Sequence, residues 1–296
     1  MIEVLRTGLL TTVQDLGRTG YAHLGVPRSG AADTRSFRLA NRLVGNAEST
    51  PCLEFTLGGA SLRFHEAARI ALTGAPAPIR LAGRPVPTDR WLTARSGEAL
   101  EIGIPEYGLR TYLAVAGGFD VPKTLGSCST DTLSGLGPAP LQAGQELAVG
   151  YSPHPPPVVP DVVASPVPGG DGVVLRYRRG PRDDLFTEEM LSRFGSARWE
   201  VTAESNRVGA RLSGPAITTL STDQLPSEGM MLGSIEMPPS GQPIIFLADH
   251  PTTGGYPVIG VVEADDVAVL AQTRPGTPVR FQLVSARAST RLLAAT

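Results

Sequence analysis

Lysine is almost missing from this chain: Lys123 is the only one in 296 residues, and arginine supplies the rest of the 26 basic side chains. That scarcity removes whole classes of chemistry. A phosphate-cradling loop of the P-loop type closes on Lys-Ser or Lys-Thr, and no such segment exists. A lysine Schiff base would have to use Lys123. There is no Met-Lys-Met segment either, so the chain is not itself a biotin carrier. Cysteine is nearly as rare. Cys52 and Cys128 give no disulfide framework, suit a reducing compartment and read as small packing residues. The four histidines, His23, His65, His154 and His250, lack metal-ligand spacing, so no metal site is expected. A net charge of −2 offers no basic face for nucleic acid. Long apolar runs are missing too: nothing approaches the roughly 18 residues of a membrane helix. The amino-terminal MIEVLRTGLL has neither basic leader nor apolar core, which points to the cytoplasm.

Glycine and proline, by contrast, are abundant at 34 and 27 residues, and they break the chain into short segments. SLRFH, RIALTG, ALEIG, RTYLAVAG and QELAVG read as strands separated by turn residues, so the expected class is mainly β with a few short helices. One helix is plain in GAADTRSFRLANRLVGN, with Asp33 as N-cap and Gly45–Asn46 as the stop. Others are expected in DDLFTEEMLSRFG and ADDVAVLAQ. YSPHPPPVVPDVVASPVPGG is too rich in proline to pair in a central strand. The chain therefore divides into a β-rich domain at 1–150, a proline-rich linker at 151–170 and a second β-rich domain at 171–296, where a closed or nearly closed barrel is expected.

Three segments of the second domain and one of the first gather chemistry. DHPTTGGYP, residues 249–257, joins two apolar runs with far more polar and bendable residues than a hairpin needs. Asp249 sits at a strand end, while Thr252, Thr253, Gly254 and Gly255 have the make-up of an anion-binding nest. AESNRVGARLSG places Arg207 and Arg211 four residues apart beside Asn206, and two guanidiniums facing one ligand would suit a carboxylate or phosphate. Glu228, at the entry to EGMMLGSIEMP, would supply a second acid alongside Asp249 for moving protons. In the first domain TTVQDLGRTGY concentrates Gln14, Asp15 and Arg18 among glycines.

The blocks GLLTTVQDLGRTGYAHLGVPRSGAAD, YLAVAGGFDVPKTLGSCSTD, SNRVGARLSGP and SEGMMLGSIEMPPSGQPIIFLADHPTTGGYPVIG, in that order, resemble the family known as allophanate hydrolase subunit 2, Kip antagonist or the C subunit of 5-oxoprolinase. The same module is similar to the first half of the urea amidolyase carboxyltransferase domain. The chain departs from the family pattern at His250 and Pro251, where Arg-Gln would follow the aspartate. The resemblance implies a cyclophilin-like barrel and a partner chain of the B-type or Kip inhibitor-like kind. It also implies, with a third oxoprolinase chain, ATP-dependent opening of 5-oxoproline to glutamate. Two alternatives stay open: biotin-dependent carboxyl transfer, and a non-catalytic antagonist that binds the Kip inhibitor protein. On this reading Asp249, Glu228 and Arg207 are catalytic. Asn206, Arg211, Thr252, Thr253, Gly254, Gly255, Tyr256, Gln14, Asp15 and Arg18 bind a small anionic or amide substrate. Removing Asp249 or Arg207 is then expected to end turnover without unfolding the chain.

Overall fold

The computed structural model describes residues 1–152, 167, 172–220 and 225–284. The chain forms two compact units that divide between Gly169 and Gly170. Most of the proline-rich stretch expected as a linker, 153–166 and 168–170, lies outside the described residues.

In the N-terminal unit two antiparallel sheets share one core. One runs Glu146–Leu147, Ile2–Thr7, Ala60–Phe64, Ala99–Ile102, Ile79–Leu81, Arg84–Val86; the other runs Leu10–Gln14, Cys52–Thr56, Arg110–Val115, Ala68–Gly74, Trp91–Ala94. Their facing side chains, among them Ile2, Val4, Leu62 and Phe64 against Leu53, Phe55, Leu72 and Leu113, fill the space between. RTYLAVAG is apolar throughout because its strand is buried on both faces. Leu113 and Val115 point into that core, while Tyr112 and Ala114 point at a helix on the other side. This helix, Thr34–Val44, lays Phe37, Leu39, Ala40, Leu43 and Val44 on the second sheet. Its ends follow the sequence. The Asp33 carboxylate accepts from the amides of Arg35 and Ser36, both at 3.1 Å, and Gly45 closes the last turn at φ 78°. Both cysteines are buried, and the Cys52 thiol is pushed far up by desolvation.

The C-terminal unit is a closed seven-stranded barrel, in the order Val173–Arg179, Val258–Val262, Ser234–Glu236, Ile244–Phe246, Gly209–Ser213, Trp199–Val201, Pro278–Leu283. A parallel pairing of Pro278–Leu283 with Val173–Arg179 completes the ring. The interior is solid. Phe194 stacks on Phe281 at 4.4 Å between ring centroids and touches Tyr177 and Trp199, and Ile235, Ile245 and Ile259 complete the fill. A substrate cavity inside the barrel is therefore ruled out, and any site must lie on its wall or rim.

Two segments depart from the expected reading. DDLFTEEMLSRFG is not one helix: a single turn at Asp183–Leu185 is cut from the helix Glu188–Ser196, because Phe186 goes extended to bury its ring and Thr187 then caps the Met190 amide at 3.2 Å. SEGMMLGSIEMP is likewise two strands, broken by a turn whose Gly233 has φ 84°. Among the described residues no helix is long and apolar enough to cross a membrane.

Asp33→Ala removes a carboxylate that caps two amides and also accepts from the Ser36 hydroxyl at 2.5 Å. It should destabilise the N-terminal unit by about 1–2 kcal/mol. Calorimetry on the full chain would show that unit's transition moving to lower temperature.

Candidate functional site

The DHPTTGGYP segment leaves the barrel at the end of Ile244–Phe246 and returns at Val258. Its first anchor is an ion pair. Arg207 Nε donates to Asp249 Oδ2 at 2.9 Å and Nη2 to Oδ1 at 3.0 Å, a two-pronged fit between planar groups. The Asp249 amide also donates to the Arg207 carbonyl at 3.0 Å. With Arg207 2% and Asp249 0% exposed, the pair is closed on itself inside the protein. The sequence suggests an acid and a guanidinium gathered around a ligand; the structure brings the two together around each other. Their work here is to clamp the turn at 206–208 to the turn at 247–250. Asn206 belongs to the same device: its Oδ1 accepts from the amides of Val208 at 2.8 Å and Gly209 at 3.2 Å, so it closes a turn.

Arg211 is separated from Arg207. Residues 209–213 form a strand whose Ala210 and Leu212 face the core, so Arg211 stands exposed on the outer wall. The two guanidiniums do not converge. Glu228 has its own arginine, Arg182, which hydrogen-bonds its carboxylate and holds its pKa below the usual range. Asp249 and Glu228 are thus each committed to a separate cation.

The glycine pair also differs from a nest. No residue from 250 to 257 has a positive φ, which a nest requires. Instead Thr253–Gly254 is extended and pairs with Glu228–Gly229, a short ribbon continued by the Met230 amide donating to the Thr252 carbonyl at 2.9 Å. Gly254 is needed for space: a Cβ there would lie 2.6 Å from Glu236 Oε1. Thr253 and Tyr256 are exposed and Thr252 and Gly255 half-buried along this ribbon, while the His250 ring stacks on Phe246 at 5.8 Å between centroids.

Sequence reading misses Glu236. It lies in SIEMPP between Ile235 and Met237, both in the barrel core, and so it points outward, yet it is only 6% exposed because the loop covers it. Burial pushes its carboxyl up; the Tyr256 backbone N–H and the Arg211 charge oppose that shift. Period-two alternation in the sequence places Glu236 on the outer face, but the covering loop comes from about 20 residues further on and leaves no local trace.

In the N-terminal unit Asp15 is fully engaged. Its carboxylate accepts from Ser127 Oγ and Ser129 Oγ at 2.6 Å and from the Cys128 and Gly17 amides at 2.7 Å. Gln14 donates to Thr130 O at 3.0 Å and Arg18 to Ser129 O at 2.5 Å. All three hold the 127–130 segment against the edge of the second sheet. Gln14 Oε1 and Arg18 Nη1 have no protein hydrogen-bond partner among the described residues, though both side chains belong to residues at most 2% exposed. Among the described residues, no three of His, Cys, Asp and Glu gather to hold a metal ion.

The buried ion pair revises the expected effect of removing it. Arg207→Ala leaves a desolvated carboxylate without its cation, and should cost about 3–5 kcal/mol of stability. The double variant Arg207→Met with Asp249→Leu should recover most of that loss. Urea unfolding of the three variants tests the pair.

Both the sequence and the fold have known relatives. Residues 24–283 match the model of the carboxyltransferase domain, subdomain A and B. The 5-oxoprolinase C subunit of Escherichia coli (strain K12) is 37% identical over 291 residues, which are 95% of this chain and 90% of that one. Among solved structures, TTHA0988 is similar with a TM-score of 0.85 and 35% identity, covering 95% of this chain and 56% of that one. Urea amidolyase of K. lactis is similar with a TM-score of 0.90 and 32% identity, covering 99% and 19%. The chain thus spans most of the bacterial protein but about half and about a fifth of these two longer ones. A match running from end to end at this identity, on top of a mainly β chain with a closed barrel, shows that the chain belongs to the carboxyltransferase domain family, subdomains A and B, and within it to the C subunits of 5-oxoprolinase.

Proposed function

We propose that this chain is the C subunit of an ATP-dependent 5-oxoprolinase, a hydrolase that opens the cyclic amide of 5-oxoproline to glutamate together with partner chains. The observation that carries this reading is the 37% identity to the Escherichia coli protein over nearly the full length of both chains. The reaction breaks the ring C–N bond, adds water oxygen to the carbonyl carbon and a proton to the nitrogen. It needs donors for a developing oxyanion and a hold on the substrate carboxylate. On the outer wall of the barrel, Arg211 and the Thr252 and Thr253 hydroxyls are the groups suited to that hold. Asp249, Arg207 and Asn206 act behind them by fixing the loop, and Gly254, Gly255 and Tyr256 set its path. Glu228 remains a candidate acid only if Arg182 releases it.

ATP supplies the driving force for opening an unactivated amide. The groups around the loop suit one anionic group: Arg211 is exposed, but Arg207 is occupied by Asp249. A triphosphate needs more donors than these. The nucleotide is therefore assigned to the assembled complex and no step on this chain is routed through it. The partners on this reading are a chain of the Kip inhibitor type and a third oxoprolinase chain, and the compartment is the cytoplasm.

A second reading rests on the family model and on the fit to urea amidolyase: a biotin-dependent carboxyltransferase half, working with a separate carrier. Co-expression with the two candidate partner chains separates the readings. Release of glutamate from 5-oxoproline should depend on ATP and on all three chains. Absence of release, with carboxyl transfer from carboxybiotin in its place, would favour the second. Tight association without either activity would favour an antagonist.

A further inference from the structure

Glu236 is a carboxylate that the barrel buries on its outer face, where a hydrophobic side chain would pack at lower cost. Its surroundings point to a reason. Strand register sets Arg211 opposite Ile244 and Glu236 opposite the same Ile244, so these three side chains form one row across three strands, all outside the core. Over the Glu236 end of that row lies the loop. Gly254 approaches so closely that a methyl group would stand 2.6 Å from Glu236 Oε1, and the Tyr256 N–H faces the carboxylate. The loop is fixed at its ends by the Asp249 amide on the Arg207 carbonyl at 3.0 Å and by the Met237 amide on the Pro257 carbonyl at 2.9 Å. Between those ends, the contact it makes with the barrel wall is at Glu236.

We propose that Glu236 is a positioning residue for the 252–257 loop, holding it through Gly254 and the Tyr256 amide in the shape that presents Thr252 and Thr253 to the substrate. The functional half of this inference rests on the reading of the chain as part of an oxoprolinase; the structural half does not. An oxygen acceptor is required at this position, since an aliphatic side chain of the same size would leave the Tyr256 amide without one under a covered loop. Small size is required at 254 because the acceptor already fills the space. The pair Glu236 and Gly254 works as one unit, and each fixes what the other can be.

The test uses the full chain and two readouts. In the chain alone, hydrogen exchange over 250–257 should speed up by tenfold or more in Glu236→Ala and in Gly254→Ala. Glu236→Gln, whose amide oxygen accepts the same N–H, should stay near the wild-type rate. Thermal unfolding checks that each variant is folded, and Gly254→Ala probes the contact from the loop side should Glu236→Ala fail to fold. In the complex with its partner chains, Glu236→Ala should lower kcat for glutamate release at least tenfold and raise KM, with Glu236→Gln recovering most of the loss. Unchanged exchange in both alanine variants would overturn the proposal. It would also fall if Glu236→Gln lost as much kcat as Glu236→Ala while its loop exchange stayed wild-type, for the carboxyl would then be needed for its proton. If the wild-type complex shows no oxoprolinase activity, the exchange arm still decides the structural half.

Discussion

A guanidinium and a carboxylate taken out of water together must satisfy one another, and Arg207 and Asp249 do so with two parallel hydrogen bonds in full burial. The geometry around the loop depends on that pairing. The pair joins two turns that are 42 residues apart in the chain, one entering the strand Gly209–Ser213 and one leaving the strand Ile244–Phe246. Those two strands are themselves neighbours in the barrel, with Gly209 opposite Phe246. The ion pair continues their ladder past its last backbone pairing and stops the 249–257 loop from swinging away from the wall. A buried pair of this kind adds little net stability beyond a hydrophobic one; what it contributes is a fixed direction.

Local rules are enough to read the scaffold. Asp33 and Gly45 mark both ends of their helix because capping is decided within four residues. The strand at Arg110–Val115 is visible as an apolar run because burial on both faces leaves no polar alternation. Where a local rule meets a tertiary demand, the reading fails. The acids of DDLFTEEMLSRFG suit a helix start, but Phe186 has a core to enter and breaks the segment in two.

The site is legible as a region and not as a geometry. The length and composition of DHPTTGGYP mark the loop that the ion pair anchors. Nothing in it shows that Thr253 and Gly254 pair with Glu228 and Gly229, because that ribbon depends on a segment some 25 residues earlier. Two glycines in a row look like positive-φ positions in a sequence; here one of them answers a steric need set by Glu236. Arg207 and Arg211 look equivalent at a spacing of four, yet the start of a strand at Gly209 leaves one buried and the other exposed. Charge identity can be read from sequence, but pairing and exposure belong to the fold.

A barrel with a solid interior places its chemistry in an awkward position. Filling the core with Phe194, Trp199 and Phe281 secures the unit but forces the candidate groups onto a convex wall, where Arg211 and Tyr256 meet solvent. Electrostatic stabilisation of an oxyanion is strong only where water is excluded. An open wall cannot supply that exclusion alone. On the reading proposed above, a partner chain laid across the ribbon would provide it, bringing low dielectric to groups the barrel has already oriented. The division of labour follows from the packing: this chain contributes rigid placement, held by a buried ion pair and a buried carboxylate, and the assembly contributes enclosure.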